Sequence, residues 1–173
     1  MDGRDLSMTD FSSVYPDFIE GELKTERERR ANLESRGGTV VTQSGALSTL
    51  LIAAAAFVRG SGAAHLSNYA TVMVVISTLL FLGAGVLGIL VTFPYLYRGQ
   101  PVADDATMEK MLTVRRADPE ADARTVVATV HKGTLSAMRA GNHRKALLLS
   151  LAQISQIVGL LALLNGVLAA ILG

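Results

Sequence analysis

Three long uncharged runs divide the chain, and segments rich in charged residues lie between them. If Arg59 is set aside as a turn residue, the runs extend over residues 39–58, 69–97 and 146–173. A helix rises 1.5 Å per residue, so about 20 mostly apolar residues are enough to cross the hydrocarbon core of a bilayer. The pattern therefore predicts an all-α membrane protein with three transmembrane helices, the first two paired as a hairpin.

The charged segments predict cytoplasmic helices. From Pro16 to Arg36 acidic residues come first and arginines last, which is the order that complements a helix dipole. Met108 and Met111 suggest a short helix, and a longer amphipathic one follows Pro119, lying on the membrane surface or against the first helix. Its apolar face consists of Val127, Val130, His131, Leu135 and Met138. The pair Gly141-Asn142 either ends this helix or bends it before the last span.

The predicted order of segments follows directly. It is a disordered N-terminus (1–15), a cytoplasmic helix (16–36), a transmembrane hairpin (37–98), a cytoplasmic helical insert (99–145) and a third transmembrane helix (146–173).

The distribution of Lys and Arg predicts the topology. Residues 1–36 contain six, residues 98–145 contain nine, and the turn at 59–68 contains one. By the positive-inside rule both large groups are cytoplasmic, so three spans place the C-terminus outside. Nine acidic and six basic residues among the first 36 predict that there is no signal peptide and that the first span directs insertion.

Composition narrows the function classes. Charged residues make up 18% of the chain, against about 25% in a typical soluble domain. The sequence has no cysteine, which excludes disulfides, thiol catalysis and cysteine-ligated zinc. A net charge of +1 gives no reason to expect a nucleic-acid partner. Membrane lipid is the partner that the composition predicts.

The reactive side chains form no catalytic or metal-binding pattern. His65, His131 and His143 are far apart and lack the spacing of metal ligands. A histidine on an apolar helix face, such as His131, is more often packed than functional. We therefore predict a protein that is not an enzyme and holds no cofactor.

Small and amide-bearing residues within the spans are candidates for helix contacts and assembly. Ala84 and Gly88 offer a small-residue surface, and a similar face on the first span (42, 45/46, 49, 53 and 56) either packs against a helix or is wetted by headgroups. Gln153 and Gln156 are predicted to share one surface, either as links between helices or subunits or as the border of a water path. The candidate assembly residues are Gln43, Ala84, Gly88, Gln153, Gln156 and Asn165.

Arginine and lysine residues of the two cytoplasmic segments form a second candidate site. A basic surface there is a candidate for receiving a signal or a partner. Its predicted members are Arg27, Arg30, Arg36, Arg124, Lys132 and Arg139.

The order of these features resembles a known type of protein. The arginine-rich segment from Arg27 to Gly37 leads directly into a span, a hairpin and a helical insert follow, and the segment from Asn142 to Gln153 leads into the last span. This architecture is similar to that of the small bacterial membrane-effector domains of the Pycsar and SLATT type. The resemblance implies an oligomer that permeabilises the inner membrane during antiphage defence, after a nucleotide signal.

The resemblance leaves the source of the signal open. No segment resembles an appended cyclic-nucleotide-binding domain, so the implied partners are a nucleotide second messenger, a sensor protein and further copies of the chain. The sequence also looks similar to actinobacterial membrane proteins of plasmid transfer. The alternative function is therefore a membrane scaffold for a cytoplasmic or plasmid-transfer partner.

Overall fold

The structure is a computed structural model that describes residues 9–60, 67–93, 105–113 and 119–172. Every regular element in these ranges is a helix: α1 (Thr9–Gly60), α2 (Asn68–Thr92), α3 (Asp105–Thr113) and α4 (Glu120–Leu172). Three of them, α1, α2 and α4, contain stretches long and apolar enough to cross a membrane. The predicted fold class, all-α with three candidate spans, is confirmed at this level.

The boundaries of α1 and α4 differ from the predicted ones. Helix α1 begins at Thr9 rather than Pro16 and continues through Gly37-Gly38, so the predicted cytoplasmic helix and first span are one helix. The predicted disordered N-terminus therefore overlaps α1 from Thr9 onward, while residues 1–8 lie outside the described ranges. Likewise α4 does not end at Gly141-Asn142, where both residues are buried. A glycine costs a helix about 1 kcal/mol, which a packing contact can offset.

Helix α2 is shorter than the uncharged run that predicted it. Its first turn is capped by Ser67, whose side chain accepts a hydrogen bond from the backbone N–H of Ala70 at 3.2 Å. The helix ends at Thr92, and Phe93 is extended (ψ 136°) because the residue before a proline disfavours helical geometry. Its 25 residues still span about 37 Å, more than a hydrocarbon core requires.

The chain divides into two compact units. The polar unit comprises Met1–Ala31 and Pro94–His143, and the membrane unit comprises Asn32–Phe93 and Arg144–Gly173. Both α1 and α4 contribute to each unit.

Within the polar unit, α1 and α4 run parallel. Leu23 of α1 packs with Leu135 and Met138 of α4 in a small apolar cluster. The predicted apolar face of α4 is therefore used only in part, since Val127 is 42% exposed. Where the face is buried, it lies against α1, which is one of the two predicted alternatives.

Within the membrane unit, α2 runs antiparallel to α1 and α4. Its core is apolar and draws on all three helices: Val40, Ala84, Val91, Leu149 and Ala152. Many large apolar side chains face outward instead, as expected for a surface that meets lipid. The parallel arrangement of α1 and α4 brings the charged ends of both spans, marked by Glu34 and Lys145, to the same end of this unit.

Small residues set the closest approach of α1 and α2. A Cβ added at Gly88 would lie 2.9 Å from Val41 Cγ2 and 3.0 Å from the Gly37 carbonyl oxygen. A Cβ added at Gly37 would meet Val91 Cγ1 at 3.0 Å. Ala84 is also fully buried, so the structure places both predicted small residues of α2 at helix contacts. This tight contact explains why α1 keeps a glycine at position 37 without ending there.

Replacing Gly88 with valine is expected to separate α1 from α2. Overpacked sites cost about 1–3 kcal/mol, and here backbone atoms as well as Val41 would have to move. Gly83→Val is the matched control on the same helix, because nothing lies within 4 Å of an added Cβ there. Unfolding by SDS in mixed micelles, followed by circular dichroism, measures both. Equal losses of stability in the two variants would contradict this account of the contact.

Candidate functional site

Polar side chains link the three helices of the membrane unit. Gln156 on α4 donates through Nε2 to Ser44 Oγ at 2.9 Å and to the Val40 carbonyl oxygen at 3.3 Å, both on α1. Ser77 on α2 donates to the Gly159 carbonyl oxygen at 2.8 Å. Hydrocarbon offers no hydrogen-bond partner, so such contacts form between helices instead.

Two serines extend this polar set. Ser155 on α4 donates to the Leu80 carbonyl oxygen on α2 at 2.8 Å. Ser48 on α1 is buried, and among the described residues its Oγ has no hydrogen-bond partner. The interior of the membrane unit is therefore apolar toward its charged end, where Val40, Ala84, Val91, Leu149 and Ala152 pack, and it contains these polar groups nearer the middle of the spans.

The predicted assembly residues fall into two groups. Ala84 and Gly88 are buried and Gln156 is half-buried, all within the contacts between α1, α2 and α4. Gln43, Gln153 and Asn165 are exposed on the outside of the unit. Gln153 and Gln156 thus do not share one surface as predicted. Three residues of helix rotate a side chain by about 60°, which is enough to carry it from a contact to the outer surface.

The small-residue face predicted on the first span also lies outside. Its members Thr42, Gly45, Ala46 and Thr49 are exposed. The buried face of α1 consists instead of Gly37, Val40, Ser44, Ser48 and Leu51. The exposed threonines donate to their own helix, Thr42 to Gly38 and Thr49 to Gly45. This face therefore takes no part in packing between the described helices of one chain.

A buried ion pair lies at the charged end of the membrane unit. Lys145 is 0% exposed, and its Nζ lies 2.6 Å from Glu34 Oε1. Sequence analysis placed Lys145 at the start of the last span but did not identify its partner, because 111 residues separate the two. A buried ammonium group requires such an opposite charge.

The polar unit contains a second network that the sequence did not predict. Asn142 is fully buried and donates to the Glu26 carbonyl oxygen at 3.0 Å and to Glu26 Oε2 at 2.7 Å. Arg139 pairs with Glu22 and lies 3.7 Å from Glu26 Oε1. These contacts join α1 and α4 beside the small apolar cluster. The available sequence signal was the i, i+4 spacing of Glu22 and Glu26, which places both carboxylates on one face of α1, where Arg139 contacts them.

The predicted basic surface is not a uniform cationic patch. Arg124 pairs with Glu120 at 3.0 Å, and Arg139 is paired with two carboxylates as described above. Arg27 and Lys132 are exposed and Arg30 is half-buried. Arg36 is exposed but belongs to the membrane unit, so the structure does not bring all six residues together.

An open groove of about 450 Å³ lies in the polar unit between residues 16–20 of α1 and residues 120–131 of α4. Its charged lining is mainly acidic, with Asp17, Glu20 and Glu120 against Arg124. His131 also lines it. Among the residues that the structure describes, no group of three or more His, Asp or Glu side chains is placed to hold a metal ion. The acidic lining opposes the binding of a phosphate-bearing ligand in this groove.

Comparison with known proteins gives no match. No protein-family model matches the sequence, and neither a curated protein nor a solved structure does. The resemblance to the Pycsar and SLATT membrane effectors therefore stays a prediction from the sequence.

Removing the amide of Gln156 is expected to weaken the packing of α4 on α1. Hydrogen bonds between membrane helices contribute about 0.6–1.7 kcal/mol, so Gln156→Leu should lower the free energy of unfolding by roughly this amount. A double-mutant cycle with Ser44→Ala isolates the contact between the two side chains. Gln153→Leu, measured at a dilution where the protein is monomeric, is the control. A Gln153→Leu loss equal to that of Gln156→Leu would refute the assignment.

Neutralising Glu34 is expected to destabilise the membrane unit through Lys145. Breaking a fully buried pair costs about 3–5 kcal/mol, and Glu34→Gln should cost less because Glu34 is one-third exposed. Adding Lys145→Met should restore part of the loss, since the buried ammonium group is then removed together with its counter-charge. Glu120→Gln is the control, because its pair with Arg124 is exposed and contributes about 0.5 kcal/mol or less. Unfolding in mixed micelles measures all three variants against the unchanged chain. A double variant less stable than Glu34→Gln would contradict the role assigned to the pair.

Proposed function

We propose that this chain is a non-enzymatic effector of a bacterial plasma membrane, which assembles and permeabilises the bilayer when a signal reaches its cytoplasmic part. In this proposal the N-terminus is cytoplasmic and the C-terminus lies outside. The function proposed for the cell is antiphage defence. The resemblance described above suggested this role, and the physical features below support it.

The observation that carries the proposal is the polar interior of the membrane unit. Its three helices are joined by hydrogen bonds from Gln156, Ser77 and Ser155 rather than by apolar packing alone. Contacts of this kind are weak individually, and water can replace either partner when the helices move apart. A unit built in this way can exchange its internal contacts for contacts with water, which permeabilisation requires.

The proposed topology rests on two features. The parallel α1 and α4 bring the charged ends of the first and third spans to one end of the membrane unit, where Glu34 meets Lys145. The two groups of basic residues precede these ends in the sequence. By the positive-inside rule that end is cytoplasmic.

A sensor protein is a better candidate for the signal than a nucleotide second messenger. Arg124 and Arg139 are already paired with carboxylates, and the charged lining of the groove described above is mainly acidic. A nucleotide phosphate needs cations that are available to it. Exposed apolar side chains, such as Tyr15 and Phe18 of α1, instead offer a surface for a protein.

Induced expression is expected to depolarise cells under an activating condition such as phage infection. A voltage-sensitive dye reports the membrane potential, and purified protein in vesicles loaded with a quenched dye reports leakage directly. Gly88→Val is the matched variant, because it disrupts the contact of α1 and α2 and should abolish leakage while the spans stay in the membrane. An intact membrane potential under every trigger tested, phage infection included, would count decisively against the proposal.

A membrane scaffold is the second candidate. Tyr15 is 75% exposed and Phe18 is 65% exposed at the start of α1, and exposed apolar side chains often mark a protein-binding surface. The scaffold would hold a cytoplasmic or plasmid-transfer partner at the membrane. It predicts that a soluble partner co-purifies in a Phe18-dependent manner and that reconstituted vesicles show no ion flux.

A further inference from the structure

Two amide side chains on the outer surface of the membrane unit form no hydrogen bond with any residue that the structure describes. They are the exposed side chains of Gln43 on α1 and Gln153 on α4. Several other exposed polar side chains of the spans form hydrogen bonds within their own helix. Thr49 donates to Gly45 at 2.9 Å, and Asn165 donates to Leu161 at 2.9 Å.

The depth of these two glutamines makes the absence of a partner costly. Gln43 lies seven residues beyond Arg36, and Gln153 lies eight residues beyond Lys145, the last charged residue before each span. At 1.5 Å per residue, each glutamine lies about 10–12 Å along its helix from that last charged residue. An amide that faces hydrocarbon without a partner costs several kcal/mol.

We propose that the missing partner is a second copy of this chain, and that Gln43 of one copy hydrogen-bonds with Gln153 of its neighbour. A glutamine amide carries both donors and an acceptor, so the two side chains are complementary. All copies insert in the same orientation, which places the two amides at similar depths in every copy. The contact joins different surfaces of the two copies, so its repetition gives a ring around an axis normal to the membrane where the rotation between copies closes.

The surface beside Gln43 allows the helices of two copies to approach closely. Nothing lies within 4 Å of a Cβ added at Gly45, and Ala46 and Thr49 are also small and exposed. Small residues permit backbone contact between membrane helices. Gln156, in contrast, is occupied inside the chain by Ser44 and Val40, so it holds one copy together while Gln43 and Gln153 join separate copies.

Self-association of the purified full chain in lipid vesicles tests the inference, with the number of copies per complex counted by single-molecule photobleaching. Gln43→Leu and Gln153→Leu should each weaken association, by roughly 3- to 20-fold for one interhelical hydrogen bond. The double variant should be no weaker than either single one, because both remove the same contact. Asn165→Leu is the control and should leave association unchanged. Circular dichroism and limited proteolysis confirm that each variant is folded.

Cross-linking tests the geometry in this cysteine-free chain. Co-expressed Gln43→Cys and Gln153→Cys chains should form a disulfide-linked dimer, whereas either variant alone should not. Dimers from one variant alone would overturn the pairing, and so would full association of the Gln43→Leu/Gln153→Leu chain. The proposed contact between copies rests on the proposed function, in which the chain assembles, but the two can be tested separately. Association without leakage would overturn the function and leave the interface standing, and leakage from complexes in which residues 43 and 153 do not cross-link would overturn only the interface.

Discussion

The absence of hydrogen-bond partners in hydrocarbon is the constraint on which this structure depends. Each polar side chain within the spans needs a partner in its own helix, in another helix or in another molecule. The threonines use their own helix, and Gln156 and Ser77 use a neighbouring helix. Among the described residues Gln43 and Gln153 use neither, and the proposed contact between two copies would satisfy both of them.

Charge was the most informative feature of the sequence. A charged residue cannot remain in hydrocarbon unless it is paired, so the charge-free stretches predicted the three spans, which the structure confirms as candidates by length and composition. The spacing of Ala84 and Gly88 likewise predicted a surface that the structure places between helices. These features depend only on residues close together in the sequence.

Contacts between distant residues could not be predicted in the same way. Which glutamine of α4 faces inward depends on Ser44, 112 residues away from Gln156. The partner of Lys145 was not predicted either, because Glu34 is 111 residues away in the sequence. The continuation of α1 through Gly37 was missed for the same reason, since glycine pairs usually interrupt a helix and only the contact with Gly88 accounts for its presence.

The long separation of Ser44 from Gln156 also has a consequence for synthesis at the ribosome. The hairpin of α1 and α2 is complete before the last span has been made, so Ser44 and Ser77 enter the membrane before the α4 groups that they contact. Before α4 is inserted, each serine hydroxyl can donate a hydrogen bond to a backbone carbonyl in the preceding turn of its own helix. The longer amide of Gln156 arrives last and meets a hydroxyl that is already in place. Because α4 is translated last, Gln156 enters the membrane when its hydrogen-bond partner Ser44 is already there.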